Sequence, residues 1–178
     1  MKEEEVILVD SKDNVLGTMP KMEAHQKGLL HRAFSVFILN SKNQVLLQKR
    51  ALTKYHSPGL WTNTCCSHQR INESSIAAGI RRLEEEMGLS AKLKEVFTFK
   101  YKAPLTNGLI EHELDHVLIG FIEKNPIINH NEVSEWKWVD FDFLSKDLIQ
   151  NHNNYTVWFK IVFDQFFNYI KTHESNGK

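Results

Sequence analysis

Two carboxylates, Glu111 and Glu113, are the first residues whose types and spacing could do chemistry. They lie in a stretch predicted to be a strand, where side chains two residues apart point to the same face of the sheet. Val117, Ile119 and Phe121 continue that face and are apolar. Two acids leading an apolar face need a compensating cation or proton. The pair is therefore either a strand end in solvent or part of a metal site.

Histidine is the second candidate ligand type, and the chain contains nine. His25, His31 and His68 stand beside other residues of interest, and with the two glutamates they would supply five ligands. Imidazole and carboxylate together suit zinc or manganese in a geometry above four-coordinate. No local pair such as His-x-x-x-His decides for a metal. Four others lie in polar or loop-like stretches and are expected to be solvated surface residues: His56, His130, His152 and His173.

A third arrangement lies on the helix predicted to end at Gly88. At about 100° per residue, Glu86 lies roughly 90° from the buried stripe of that helix, whereas Glu85 points away from the core. Arg82 and Glu86 form an i, i+4 pair. The pair is either a surface salt bridge or a site at which Glu86 binds a divalent cation and Arg82 binds a phosphate.

Cys66 and His68 form the fourth arrangement, in a segment flanked by proline and glycine. A thiol close to an imidazole can be a nucleophile with its base, or a pair of metal ligands. A single cysteine in such a segment can equally be structural. The spacing alone leaves these possibilities open.

The residues of this helix and the segment before it match most of the Nudix box, G-x5-E-x7-R-E-U-x-E-E-x-G-U, where U is aliphatic. The matching positions are Glu73, Arg81, Leu83, Glu85, Glu86, Gly88 and Leu89. Two positions depart: Ser67 replaces the first glycine, and Arg82 replaces a metal-binding glutamate. Loss of that glutamate argues against multi-magnesium pyrophosphate hydrolysis. A box altered in this way resembles that of the type 1 isopentenyl-diphosphate isomerases.

Further segments are similar to the same family, in its order, across nearly the whole chain. They are Lys21–His25, Gly28–Ser35, Arg50–Lys54, Pro58–Asn63, Cys66–His68, Tyr101, Glu111–Glu113 with Asp115, and Trp158. Gln69 stands where a proline is common, which affects no chemical group. The resemblance implies an enzyme that interconverts isopentenyl diphosphate and dimethylallyl diphosphate in isoprenoid biosynthesis.

The resemblance also implies two metal sites. The first would hold zinc or manganese through His25, His31, His68, Glu111 and Glu113. The second would hold magnesium, bridging the substrate diphosphate, through Glu86 and the backbone carbonyl of Cys66. The diphosphate would be neutralised by a local cluster of cations: Lys21, Arg50, Lys54 and Arg82.

The implied chemistry is a 1,3-allylic proton shift through a tertiary carbocation. Cys66 and Glu113 would transfer protons on opposite faces of the allylic carbons, with assistance from Tyr101. Trp158 would stack near the positive charge and stabilise it by roughly 1–2 kcal/mol without trapping it as a nucleophile would. Water must be excluded from the site, because it would convert the carbocation into an alcohol.

The hydrophobic pattern predicts the elements that must position these groups. Strands are expected at Glu5–Asp10, Ala33–Leu39, Gln44–Lys49, Val96–Tyr101, Ile110–Ile122 and Glu135–Val139. A helix is expected from Ser74 or Ser75 to Gly88, with Ile76, Ile80, Leu83 and Met87 as its buried stripe. Tyr55–Gln69 is expected to be an ordered loop, and the C-terminal third to be helical. The helix in the C-terminal third is expected from a pattern of helical period, about 3.6 residues, in Trp158, Ile161, Val162, Gln165, Phe166 and Tyr169.

This order predicts an α/β (α+β) mixed sheet with helices packed on it, in one domain. The resemblance makes that a Nudix-like domain over residues 1–178 with helices on both sides of the sheet. Residues from about 172 to 178 are expected to form a frayed tail.

Composition bounds the partners. Lysine plus arginine equals aspartate plus glutamate, 22 against 22, so no net charge indicates a nucleic-acid partner. No apolar run approaches the ~18 residues of a membrane span, and the first residues lack a signal-peptide layout. The neighbouring Cys65 and Cys66 are not expected to form a disulfide, which favours a reducing cytoplasm. No flavin or nicotinamide signature occurs, and a monomer is the default expectation.

Two alternatives compete with the isomerase. A Nudix hydrolase of a nucleoside diphosphate derivative predicts a box with all its glutamates, and Arg82 contradicts that. A non-catalytic binding or zinc-stabilised module of the same fold predicts no special need for a thiol at Cys66.

Overall fold

The computed structural model describes residues 4–174. Its strands are β1 (Glu5–Val9), β2 (Val15–Pro20), β3 (His31–Leu39), β4 (Gln44–Arg50), β5 (Trp61–Thr62), β6 (Cys65–Ser67), β7 (Lys94–Pro104), β8 (Ile110–Phe121) and β9 (Val133–Asp140). Its α-helices are α1 (Lys21–Lys27), α2 (Ser75–Met87), α3 (Phe141–Gln150) and α4 (Val157–Glu174).

The centre of the sheet is the parallel pair β3 and β8, in which His31 lies opposite Glu113. Both strands are almost continuously buried, as expected of parallel strands covered on both faces. β6 pairs with the other side of β3 in an antiparallel ladder that places Cys66 opposite Ser35. β7 extends the sheet beside β8, and β9 pairs with β4. The sheet is therefore mixed, as predicted.

Two hydrophobic cores cover the two faces of this sheet. On one face α2 packs through Leu83 and Met87. On the other face α3 and α4 pack through residues that include Leu144 and Phe166. The predicted arrangement of helices on both sides is confirmed.

Helix α2 begins and ends as the sequence predicts, because the Ser74 hydroxyl accepts a hydrogen bond from the Ala77 amide and Gly88 adopts a left-handed φ of 62°. The predicted buried stripe is wrong at one position, since Ile76 is exposed. Ala78 and Gly79 face the sheet instead. A Cβ atom at Gly79 would lie 2.6 Å from Leu118 Cδ1, so only a small residue permits this close approach.

Three other expectations need correction. The segment Tyr55–Gln69 is not wholly a loop, because it contains β5 and β6, whose ladder partners lie far away in sequence. Phe121, expected on the apolar face of β8, is exposed because it ends the strand. Residues 172–174 of the expected tail are helical, because α4 continues to Glu174, and the rest of that tail, residues 175–178, lies outside the described range.

The C-terminal helix buries a face different in part from the one expected. Phe159, Val162 and Phe166 are buried, whereas Ile161 is exposed. None of the helices described in residues 4–174 is long and apolar enough to span a membrane.

Candidate active site

A cavity of about 190 Å³ opens above β3 between β6, β8 and α4. Most of the predicted site residues line it, although they come from distant parts of the sequence. These lining residues are Lys21, Arg50, Lys54, Cys66, His68, Arg82, Tyr101, Glu111, Glu113 and Trp158. The other three predicted residues, His25, His31 and Glu86, are buried outside this lining.

Four buried side chains form a cluster of possible metal ligands: His25, His31, His68 and Glu113. One ligand atom from each lies within 4.8 Å of all the others. The fold brings them together because β3 and β8 run parallel in register, while α1 supplies His25 and the end of β6 leads to His68. The sequence had no local pair that could have revealed this set.

Two of the imidazoles are oriented by backbone carbonyl groups. Nδ1 of His25 donates to the Lys21 carbonyl at 2.7 Å, and Nδ1 of His31 donates to the Leu29 carbonyl at 2.8 Å. These bonds leave the Nε2 lone pairs free, which is the usual arrangement of metal-binding histidines. Within the described residues, Nε2 of His31 and Nδ1 of His68 are buried without a well-formed hydrogen bond. These unsatisfied buried nitrogens and the neighbouring carboxylate fit a divalent cation.

Glu113 is the acidic member of the cluster. Its Oε1 lies 3.0 Å from His68 Nε2 and 3.5 Å from His31 Nε2, and its Oε2 accepts a 2.6 Å hydrogen bond from the Tyr101 hydroxyl. Burial alone would raise the pKa of Glu113, but the contacts from His31 and His68 hold that pKa well below its ordinary value. Glu113 is therefore a carboxylate.

Glu111 lies beside this cluster rather than within its four-residue core. Its Oε2 accepts a hydrogen bond from the Tyr101 hydroxyl at 3.1 Å, so Tyr101 connects the two glutamates. Burial and the adjacent charge of Glu113 raise the pKa of Glu111 well above its ordinary value. The two acids predicted to share a face do so, in environments that separate their protonation states.

Cys66 and Glu113 approach the cavity from either side of β3, because β6 and β8 pair with opposite edges of that strand. Burial raises the pKa of the Cys66 thiol to about 12, so it carries a proton. The cavity thus has a protonated group on one side and a carboxylate on the other, as a proton shift between two carbons requires.

The predicted phosphate-binding cations gather at the same cavity. Three of them have carboxylate partners: Lys21, Lys54 and Arg82. Lys21 pairs with Glu4 at 3.1 Å, and Lys54 pairs with Glu132. Arg50 instead donates to the His56 carbonyl at 3.2 Å and lies 5.3 Å from the ring centre of Trp158.

Glu86 forms the predicted i, i+4 pair with Arg82, at 2.6 Å. It also accepts a hydrogen bond from Gln48 at 2.7 Å and is buried, whereas Glu85 is exposed. The pair is therefore not a surface salt bridge. Helical geometry predicted that Glu86, rather than Glu85, lies next to the core, and the burial of Glu86 agrees with that; its role as a magnesium ligand stays a prediction.

The expectation for His56 is wrong, whereas His130, His152 and His173 are exposed as expected. His56 is buried in the cavity wall, edge-on to Trp158 with 5.7 Å between ring centres. Burial and the charge of Arg50 lower its pKa to about 3, so the ring is neutral. Its polar neighbours in the sequence suggested solvent, but residues distant in sequence lie against it, including Glu111 on β8 and Trp158 on α4. Glu4, Tyr55 and Glu132 also line the cavity and were not singled out from the sequence.

Comparison with known proteins places the chain in a family. A NUDIX domain model matches residues 29–159. Isopentenyl-diphosphate Delta-isomerase 2 of Photorhabdus laumondii is 56% identical over 138 residues, which cover 78% of each protein. Isopentenyl-diphosphate Delta-isomerase of Serratia proteamaculans is 51% identical over 138 residues, covering 78% of this chain and 77% of that protein. The chain belongs to the isopentenyl-diphosphate isomerase family.

Solved structures support the fold of this isomerase family member. A protein from Deinococcus radiodurans superposes with a TM-score of 0.75 at 17% identity, covering 91% of this chain and 98% of that one. The MutT protein of Methanosarcina mazei gives a TM-score of 0.63 at 19% identity, covering 84% and 96%. At these identities the likeness shows the fold alone, and it confirms the Nudix-like architecture expected from the altered box.

Proposed function

We propose that this chain interconverts isopentenyl diphosphate and dimethylallyl diphosphate by a metal-dependent 1,3-allylic proton shift, as an enzyme of isoprenoid biosynthesis. The observation that carries the proposal is the placement of Cys66 and Glu113 on either side of a cavity that also holds four cations. The altered box argues against a NUDIX hydrolase, because Arg82 stands where a metal-binding glutamate is expected and pairs with two glutamates of the box, Glu85 and Glu86.

The site is suited to two divalent cations. The buried cluster of His25, His31, His68 and Glu113, with Glu111 beside it, would hold zinc or manganese. Glu86, with the carbonyl of Cys66, would hold magnesium. When bound, the first metal supplies positive charge next to the reacting carboxylate, and magnesium neutralises the diphosphate.

The side chains of this chain would move the protons. One group adds a proton to the terminal alkene carbon and produces a tertiary carbocation, and the group on the opposite side removes a proton from the carbon next to the phosphate-bearing one. Cys66 and Glu113 take these two roles. The Tyr101 hydroxyl is hydrogen-bonded to Glu111 and Glu113, so it can relay a proton between these two glutamates. Which of the two groups acts first depends on the direction of the reaction.

The remaining lining protects the carbocation. Trp158 is buried at the cavity and offers an aromatic face, which stabilises a nearby cation by roughly 1–2 kcal/mol. Trp158 is the residue of α4 that lines the cavity, so its ring is the part of that helix that would keep water from the carbocation. Neutral His56 adds no charge that would repel the cation.

We further propose a single domain over residues 1–178 and a monomer in the cytoplasm, with an isoprenoid diphosphate as the small-molecule partner. The free thiols of Cys65 and Cys66 suit a reducing compartment. The balance of 22 basic and 22 acidic residues gives no support for a nucleic-acid partner.

The proposal is tested by incubating the protein with magnesium and isopentenyl diphosphate and measuring the acid-labile allylic diphosphate that forms. Product should appear in proportion to enzyme and stop when a strong chelator is added. A parallel panel of nucleoside diphosphate derivatives should release no phosphate. Phosphate or nucleoside monophosphate release, without allylic product, would establish the hydrolase instead.

A further inference from the structure

Glu132 is an acidic residue in the wall of the cation cluster to which the family resemblance assigns no role. It immediately precedes β9, and hydrogen bonds on both sides hold its backbone. Its amide donates to the Asn129 carbonyl at 2.9 Å, and its carbonyl accepts from the Ala51 amide at 3.0 Å. The second bond attaches it to the segment that carries Lys54. Its side chain is 23% exposed and lines the cavity.

The carboxylate of Glu132 contacts two of the four cations that face the cavity. It forms a short ion pair with Lys54 Nζ, and its Oε2 lies 3.4 Å from Arg82 Nη2. Within residues 4–174, Lys54 has no other ion-pair partner. Because a free lysine side chain populates many rotamers, this contact determines where its ammonium group points.

Arg82 is shared among three carboxylates. It donates to Glu86 at 2.6 Å, to Glu85 at 2.8 Å, and lies within ion-pair distance of Glu132. A divalent cation on Oε1 of Glu86 would compete with Arg82, because both hydrogen bonds from Arg82 to Glu86 end on that atom. Glu132 is the acceptor on the cavity side that remains available to the guanidinium group.

We infer that Glu132 is a positioning residue of the phosphate site, which holds the Lys54 ammonium and the Arg82 guanidinium toward a bound diphosphate. The inference rests on the proposed function for its substrate, but the phosphate site can be measured by itself. The opposite possibility is that the negative charge of Glu132 competes with the diphosphate for the two cations. The two possibilities predict opposite changes in affinity when the charge is removed.

The test compares Glu132→Gln with a matched control, Glu135→Gln. Glu135 pairs with Lys49 at 2.7 Å on the outer surface and has a side chain that is 57% exposed. Binding of inorganic pyrophosphate in the presence of magnesium is measured by calorimetry, and isomerisation kinetics are measured in parallel. We expect Glu132→Gln to raise both the Kd for pyrophosphate and the KM by about tenfold with little change in kcat, since Lys54 loses its ion-pair partner and Arg82 loses its acceptor on the cavity side. Glu135→Gln should change neither.

Further outcomes discriminate the role from its alternatives. Glu132→Asp, which retains the charge, should recover most of the lost affinity, and circular dichroism establishes that each variant is folded. An unchanged or lower Kd for pyrophosphate in Glu132→Gln would overturn the inference. So would weaker binding of magnesium alone, which would make Glu132 a metal ligand. If the unaltered chain binds pyrophosphate in a Glu132-dependent way but does not isomerise the substrate, the proposed function fails and the role of Glu132 stands.

Discussion

The change Glu113→Gln removes the carboxylate that belongs to the buried histidine cluster and is also proposed to transfer a proton. Glutamine has the same shape, and its amide oxygen can still accept the hydrogen bond from Tyr101, which is 2.6 Å long in the structure. Its amide nitrogen has no lone pair for a metal and cannot accept from His68, which now lies 3.0 Å from the carboxylate. The variant therefore isolates charge and proton transfer from packing.

Two losses follow from these contacts. Loss of a residue that only hydrogen-bonds to a metal ligand typically weakens metal binding by about 10–100-fold. Removing one of the four clustered residues themselves should weaken it by at least as much. Removing a general acid or base should slow isomerisation by about 10²–10⁴-fold, equivalent to roughly 3–5 kcal/mol of activation free energy. The second loss should persist at saturating metal, whereas the first should not.

The assay measures metal affinity by competition with a coloured chelator and measures kcat at saturating metal. Glu111→Gln is the matched control, because Glu111 is proposed as a ligand without a proton-transfer role. It should weaken metal binding but retain most of its kcat when metal is saturating. A Glu113→Gln variant that isomerises at the unaltered rate would refute the assignment of Glu113.

Three further predictions follow from the structure. Cys66→Ala should lower kcat by about 10²–10⁴-fold. Cys65 lies in the core on the other face of the sheet, so Cys65→Ala should leave kcat close to that of the unaltered protein. Steady-state kinetics of the two variants checks this. The buried imidazoles of His56 and His68 have pKa values lowered to about 3 and about 4. As the pH falls, these imidazoles are therefore protonated in the unfolded chain before they are protonated in the folded protein. The free energy of unfolding of the metal-free protein should therefore be intact above pH 6.5 and fall below it, by up to about 1.4 kcal/mol per pH unit for each histidine, and His56→Ala should reduce that slope in urea titrations. Gly79→Ala should destabilise the fold by about 1–3 kcal/mol, because its Cβ would lie 2.6 Å from a buried leucine side chain, and thermal unfolding measures this.

Local pattern was sufficient for the elements that carry the site. The capping serine and the terminal glycine defined α2, and period-two spacing placed Glu111 and Glu113 on one face. Helical geometry alone distinguished buried Glu86 from exposed Glu85. These features depend on neighbours within a few residues, which the sequence displays directly.

Features that depend on distant residues could not be derived from spacing. The cluster of His25, His31, His68 and Glu113 exists because β3 and β8 are parallel and in register, which no local signal specifies. His56 was expected in solvent because its neighbours are polar, whereas it lies against residues distant in sequence, Glu111 on β8 and Trp158 on α4. The residue types alone offered these histidines and glutamates as one possible metal site, and the resemblance to the isomerase family turned that possibility into an expectation.

The position of Glu132 illustrates the same limit for the phosphate site. Lys54 and Arg82 were expected to bind phosphate through the resemblance, but their common acidic partner lies 78 and 50 positions along the chain. Charges in one sequence can be counted, but their pairing is determined by the fold.

Incubation with isopentenyl diphosphate and magnesium in deuterium oxide, followed by nuclear magnetic resonance, tests the central claim most directly. A thiol proton on Cys66, or a proton that Glu113 acquires, exchanges with solvent. The product should therefore be deuterated dimethylallyl diphosphate, and strong chelation should abolish its formation. Release of phosphate without dimethylallyl diphosphate, or recovery of isopentenyl diphosphate unchanged and free of deuterium, would contradict the account.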